Sequence, residues 1–196
     1  MQTLIEDLLA YSHTNKGERR TEMVDLNQIL EEVKIELKES IEEKGATIES
    51  NRLCEADINP SQFRQLLHNL IGNALKFSDP GRKTVINIKS QTHKGNKLKS
   101  LSPAFAIGKS GLQQPELIPE KKYCHIEFSD NGIGFEPQYG EKIFGVFQRL
   151  HGKEQYAGTG IGLSIVKKIV ENHGGFITAT GELNKGARFD IYLPVF

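Results

Sequence analysis

Asn69, Asn73 and Lys76 could do chemistry together. On a wheel of 100° per residue with Asn69 at zero, Asn73 falls at about +40° and Lys76 at about −20°. The apolar Phe63, Leu66, Leu67, Leu70, Ile71 and Ala74 gather at about 60–200°. An asparagine carbonyl is a hard, neutral oxygen suited to a magnesium ion that keeps waters and shares phosphate oxygens, and a lysine one turn on can neutralise those phosphates. The competing reading is a solvated helix face. Asparagine is a mediocre helix former, so two of them in mid-helix lean against that alternative. Further along, Asp130-Asn131-Gly132-Ile133-Gly134 follows a strand pattern and Gly158-Thr159-Gly160-Ile161-Gly162-Leu163 opens a helix pattern. Each string alone is a common turn; in this order they describe a pocket for a magnesium-bound nucleotide.

The roles follow from the groups. Asp130 at a strand end can accept a hydrogen bond from an exocyclic amine such as that of adenine, and Gly132 and Gly134 permit positive φ and close approach of a base. A base without that amine leaves a polar group unpaired, which costs about 1–3 kcal/mol and separates adenine from guanine. Gly158, Gly160 and Gly162 leave bare N–H groups at a helix N-terminus, an anion site. A dinucleotide fingerprint would need a preceding strand and a βαβ unit, whereas a polar stretch ending in Tyr156-Ala157 comes before these glycines. Between the two glycine strings lies Ile143-Phe144-Gly145-Val146-Phe147-Gln148-Arg149. Its two phenylalanines, three apart, are expected to anchor a helical turn, with Arg149 placed to reach a terminal phosphate. Leu150 to Ala157 reads as a lid, with a plain surface loop as the alternative.

The elements that must position these groups can be read from periodicity. Met1, Leu4, Ile5, Leu8 and Leu9 repeat with helical spacing and no cap ahead of them, so this helix is expected to continue upstream. Asn15 to Arg20 reads as a solvated linker. A compact domain begins near Val24, with Asp25 or Asn27 capping a helix that carries Ile29, Leu30, Val33, Leu37 and Ile41 and stops at Gly45. Strand-like pieces follow near 46–50 and 53–58, and Pro60 starts the helix bearing Asn69. Thr84, Ile86 and Ile88 alternate with polar residues, as do Cys124, Ile126 and Phe128. A last helix spans about 161–173, and strands at 176–180 and 187–193 close the chain. These elements predict an α/β two-layer sandwich, a sheet covered on one face by helices. Between Ser90 and Lys122 the pattern breaks down into Lys, Gly, Ser, Pro and Gln, and is expected to form an exposed, mobile excursion.

Composition narrows the class. Among 196 residues, Lys+Arg and Asp+Glu are 25 each, so the net charge is zero and no basic run exists to track a nucleic acid. No apolar stretch approaches the roughly 20 residues of a membrane span, and no signal-peptide pattern opens the chain. A cytoplasmic location is expected, with the full-length protein free to be membrane-attached. Cys54 and Cys124 have no ligand spacing and read as reduced bystanders.

HNLIGNALKFS, DNGIGF, IFGVFQR and GTGIGLSIV resemble the four boxes of the catalytic and ATP-binding domain of sensor histidine kinases. That domain belongs to the wider ATPase superfamily shared with DNA gyrase, the mismatch-repair ATPase and the heat-shock chaperone. The resemblance implies a Bergerat-type fold, a mixed and largely antiparallel sheet under about three helices, over residues 24–196 with an insertion at about 90–122. It also implies that residues 1–16 are the end of the second helix of a dimerisation and phosphoacceptor hairpin, and 17–23 a linker. Asn73 would then be the magnesium ligand, Asn69 and Lys76 its helpers near the phosphates, Phe77 a wall of the base pocket and Asp130 the adenine reader. Gly158 to Leu163 would form the phosphate cradle and lid hinge.

Hydrolysing members of that superfamily carry a glutamate one turn before the metal-binding asparagine; here Asn69 stands there. Without a base, water is a poor nucleophile and the γ-phosphoryl group waits for a better acceptor. In a histidine kinase that acceptor is a histidine followed by Glu or Asp. Yet His13, His68, His93, His125, His151 and His173 precede Thr, Asn, Lys, Ile, Gly and Gly. The acceptor is therefore expected upstream of Met1 or on another molecule. The implied partners are the phosphoacceptor domain of the same protein, homodimeric at full length, and the receiver domain of a response regulator. A true ATPase clamp and a nucleotide-sensing module are the alternatives.

Overall fold

The computed structural model describes residues 21–101, 117–150 and 158–195. In chain order these form β1 (Glu22–Asp25), α1 (Leu26–Glu36), α2 (Lys38–Glu43), β2 (Thr47–Ser50), β3 (Glu55–Ile58), α3 (Pro60–Lys76), β4 (Val85–Lys94), α4 (Gly95–Leu101), β5 (Lys122–Asp130), α5 (Gly162–Asn172), β6 (Phe176–Glu182) and β7 (Gly186–Val195). Short 3₁₀ turns at Pro137–Tyr139 and Lys142–Phe144 lie between β5 and α5.

Local chemistry sets the helix starts. The Asp25 carboxylate accepts from the Asn27 N–H at 2.9 Å, so Asp25 is the cap of α1. Asn59 caps α3 through the Gln62 N–H at 3.1 Å, with Pro60 at the first position, where its missing N–H costs nothing. The single helix expected to carry Ile29 through Ile41 is instead two, because the chain leaves helical geometry at Leu37 (φ −96°, ψ 10°). The stretch 17–23 was expected to be a linker, but Glu22 and Met23 belong to β1, which pairs antiparallel with β3 in a small separate sheet. Residues 1–16 lie outside the described residues.

The main sheet has the order β2-β4-β5-β7-β6, with β2 and β4 parallel and every other pair antiparallel. Its inward residues Ile86, Ile88, Cys124, Ile126, Phe128, Phe189, Ile191 and Leu193 share one core with the apolar faces of α1, α3 and α5. Burying each such side chain contributes roughly 1.5–3 kcal/mol. The α3 helix touches both α1 and α5, so its polar edge is held facing the start of α5.

Two departures concern the rest of the sheet. First, β4 continues to Lys94 and is followed by α4, so the excursion expected from Ser90 begins as ordered structure. Leu98 of α4 and Leu117 pack there with Tyr123 and Tyr192 in a second small core on the face opposite α1, α3 and α5. Residues 102–116 lie outside the described residues. Second, Cys54 and Cys124 are joined as a disulfide with Cα atoms 6.6 Å apart, not separate thiols. The fold brings them together by pinning the 51–54 loop: Leu53 N–H donates to Asn27 Oδ1 at 2.9 Å, and Cys54 N–H to Ser90 Oγ at 2.8 Å.

Candidate functional site

A cleft of about 270 Å³ opens between α3, the C-terminal end of β5 and the start of α5. Its lining includes Asn69, Asn73, Lys76, Phe77, Asp130, Gly134, Arg149, Gly158, Thr159, Gly160, Gly162 and Leu163. The stripe of α3 therefore faces a cavity and not bulk water. Gly132, Ile133 and Ile161 do not line it. Ile161 is fully buried and anchors the start of α5 in the core, while Ile133 is held by its backbone, its N–H donating to Phe77 O at 2.9 Å.

Asp130 ends β5 with one oxygen occupied. Its Oδ1 accepts from the Gly132 N–H at 2.8 Å and the Ala187 N–H at 3.3 Å. Oδ2 accepts no hydrogen bond among the described residues. Burial pushes the carboxyl above its ordinary pKa, outweighing those two N–H bonds and the nearby charge of Arg82. Among the described residues that line the cleft, Asp130 is the one carboxylate.

The glycine loop after it is shaped by its own backbone. Gly134 has φ +65°, and a Cβ there would sit 2.0 Å from Glu182 O; a Cβ on Gly132 would sit 2.5 Å from Phe77 O. Only Gly134 of the two takes positive φ, so Gly132 is small because protein backbone lies against it. Asn131 fastens the loop to the chain after α3, accepting from the Val85 N–H at 2.8 Å and donating to Lys83 O at 2.9 Å.

The other end of the cleft is cationic. Lys76 Nζ lies 4.6 Å from the Phe77 ring centroid, and a Cβ on Gly158 would come within 2.6 Å of that nitrogen. Burial and then the charge of Arg149 lower the pKa of Lys76, and no carboxylate pairs with it among the described residues. Arg149 Nη1 donates to Gly158 O at 2.9 Å. Gly158 (φ +142°) and Gly160 (φ +77°) lead into α5, whose first residue, Gly162, would bring a Cβ to 3.5 Å from Asn69 Oδ1. No side chain caps this helix, so its first N–H groups point toward the cleft end of α3 uncapped. The Asn69 Nδ2 is buried and has no hydrogen-bond partner.

The two phenylalanines of the 143–149 segment part company. Phe144 is buried, but Phe147 is 54% exposed with φ +62°, so one ring anchors the turn and the other faces solvent. Residues 151–157 of the expected lid lie outside the described residues. Gln148, Leu150, Ala74, Phe135, Ile143, Ala187 and Phe189 also line the cleft, and the sequence reading did not single them out for it. The neighbourhood of Gln148 with Arg149 was the available signal. Phe135 closes the DNGIGF string and follows the glycine loop, whereas Ala187 and Phe189 carry no signal, since they reach the cavity only through the pairing of β7 with its neighbours. Among the described residues there is no cluster of three His, Cys, Asp or Glu able to hold a metal by itself.

A mixed sheet under three helices, with a glycine-edged cleft at one end, defines a histidine-kinase-type ATP-binding fold, and solved structures share it. Full-length ShkA, in complex with AMPPNP, superposes with a TM-score of 0.69 at 23% identity, over 97% of this chain and 35% of that one. The kinase ThkA, in complex with the response regulator protein TrrA, gives 0.66 at 20% identity, over 100% of this chain and 47% of that one. Residues 58–196 match the family described as histidine kinase-, DNA gyrase B-, and HSP90-like ATPase, and the chain belongs to it. Cyanobacterial phytochrome A of Nostoc is 35% identical over 100% of this chain, and the phytochrome-like protein Cph1 of Synechocystis 33% identical over 100%. The chain spans 22% of the length of each. Sensor kinase CckA of Brucella abortus is 30% identical over 98% of the chain and 19% of its own length. No helix among the described residues is long and apolar enough to cross a membrane.

Proposed function

We propose that this domain binds Mg-ATP in the cleft and donates the γ-phosphoryl group to a histidine on a dimerisation domain, for onward transfer to an aspartate of a response regulator. The observation that carries this reading is the composition of the cleft: cations and bare N–H groups, an open carboxylate oxygen on Asp130 and, among the described residues, no second carboxylate to act as base. The groups fit the nucleotide. Asp130 Oδ2 is free to accept from an exocyclic amine, Phe77 offers a wall for the base, and the orphaned Asn69 Nδ2 lacks the acceptor that a phosphate oxygen would supply.

Lys76 and Arg149 neutralise phosphates from two sides, and the N–H groups of Gly162 and Leu163 add to them. Asn73 would hold magnesium through its amide oxygen, with the phosphates and water supplying the remaining ligands, since no carboxylate cluster is there to do so. The metal's contribution is to spread charge over the β- and γ-phosphates. Asn69 binds without accepting a proton, so water entering the cleft is not activated and the phosphoryl group is kept for an imidazole nitrogen. The P–O bond to the β-phosphate breaks as the P–N bond forms, and ADP leaves. None of the six histidines of this chain is followed by an acidic residue, so the acceptor comes from outside it.

The test mixes the chain with ATP, magnesium and a separate hairpin bearing a histidine followed by Glu. Acid-labile phosphate on the hairpin supports the proposal. Acceptor-independent phosphate release would favour a hydrolytic clamp, and saturable binding with neither would favour a sensing module.

A further inference from the structure

The loop that ends at Gly134 is held from outside by one charged side chain. Arg82 follows α3, in the turn before β4. Its Nη2 donates to Gly132 O at 2.8 Å and lies 3.4 Å from Asp79 Oδ2. Asp79 in turn has its Oδ1 taken by the Gly81 N–H at 2.8 Å, so the carboxylate is fixed before it orients the guanidinium. The Nε of Arg82 is buried and has no hydrogen-bond partner. Leaving a guanidinium donor unpaired costs free energy, and such a cost persists where the charge is needed in place.

We infer that Arg82 is a positioning residue for nucleotide recognition, fixing the Gly132 carbonyl, and so the loop whose N–H holds Asp130, while adding positive charge behind the carboxylate that faces the base. This rests on the reading of the cleft as an adenine-nucleotide site. The groups facing Asp130 are few: the N–H of Gly132 on its own loop, the N–H of Ala187 on β7, and Arg82 from the turn after α3. From α3, Asn73 and Phe77 bring no charge, and Arg82 is the one charged side chain that acts on the Asp130 carboxyl among the described residues. Burial pushes the Asp130 carboxyl upward; the N–H groups of Gly132 and Ala187 oppose it first, and Arg82, which also holds the Gly132 carbonyl, adds the charge that opposes it. Removing that charge lets the acid form persist to higher pH, and a protonated Asp130 offers the base a donor where an acceptor is required.

Arg82→Gln keeps an N–H donor for Gly132 O and loses the charge, whereas Arg82→Lys keeps the charge. Calorimetric titration of AMPPNP and magnesium into the wild type and both variants, at pH 5.5 and pH 8, separates the two roles. The expected result is a loss of about tenfold in affinity for Arg82→Gln at pH 5.5 shrinking to under about threefold at pH 8, with Arg82→Lys following the wild-type profile. In the ligand-free protein, NMR titration of the Asp130 carboxyl carbon should show its midpoint moving to higher pH in Arg82→Gln alone. Equal losses at both pH values with an unmoved carboxyl midpoint, or no loss at all, would overturn the inference while leaving the nucleotide site standing. A wild-type chain that binds no AMPPNP overturns the proposed function and this role with it, and melting curves confirm that each variant is folded.

Discussion

Asp130 and Asp190 stand on neighbouring strands of one sheet, and the chain treats them in opposite ways. Asp190, buried on the face opposite α1, α3 and α5, is saturated: its Oδ1 accepts from His125 Nε2 at 2.7 Å and Arg188 Nη2 at 2.8 Å, and its Oδ2 from Arg188 Nε at 2.9 Å. Arg188 also reaches Glu127 at 2.9 Å, and His125 stacks on Tyr192 with ring centroids 4.5 Å apart. Burial pushes the Asp190 carboxyl up, but the bonds from His125 and Arg188 and the charge of Arg188 outweigh it and hold the pKa below the usual range. Asp130 takes two N–H groups on one oxygen, leaves the other open and has its pKa raised. A carboxylate that holds a fold together is satisfied by the fold; one that waits for a ligand is left short of partners.

Breaking the contrast at its open end should have the largest effect. Asp130→Asn is expected to weaken adenine-nucleotide binding by about 10–100-fold while changing GTP affinity far less, measured by calorimetry. Equal losses for ATP and GTP would remove Asp130 from base recognition.

At the closed end, Asp190→Asn should destabilise the domain by on the order of 2 kcal/mol, a figure held down by the half-exposed Arg188, and lower Tm by about 4–8 °C with nucleotide affinity unchanged. The sign with pH follows from the lowered pKa. The contribution of Asp190 is complete above the ordinary carboxylate range and is lost as pH falls through its folded-state value, so wild type and variant should converge in acid.

Asn73→Asp places a formal charge beside the phosphates and removes an amide donor, and should cost Mg-ATP affinity about tenfold. Titration showing unchanged affinity would exclude Asn73 from the metal site.

The smallest effect sharpens the comparison most. Because the Asp130 pKa is raised, its ionised form costs the ligand-free fold stability at any pH above that value, and the cost fades as pH falls from the raised value to the ordinary carboxylate range, below which it is gone. Asp130→Asn should therefore raise Tm at neutral pH by about 1–3 °C in the absence of nucleotide, in calorimetric scans. A drop in Tm would mean that Asp130 is as structural as Asp190.

The amino-acid order disclosed much of this through local rules. The stripe of Asn69, Asn73 and Lys76 was legible because helical period fixes faces. The turns at Gly134, Gly158 and Gly160 were legible because positive φ selects glycine. Other parts were silent for equally physical reasons. The four residues of β1, with Met23 and Val24 adjacent and no alternation, are too short a pattern to read and are strand only by pairing with β3. The far half of β4 buries Ser90 and exposes Gln91 and Thr92, so it has no hydrophobic alternation to announce it, and α4 gains its partners Leu117 and Tyr123 only through tertiary packing. Leu37 fits helical spacing yet breaks the helix, and Phe147 fits it yet faces solvent.

From the chain alone came the faces, the turns and the family, since each depends on neighbours within a few residues. Which carboxylate stays open and which is closed was decided by partners 57 residues from Asp130 and 65 from Asp190, as was the meeting of Cys54 with Cys124 across 70. Saturation of a buried charge is a property of what packs around it, and only tertiary structure supplies that surrounding.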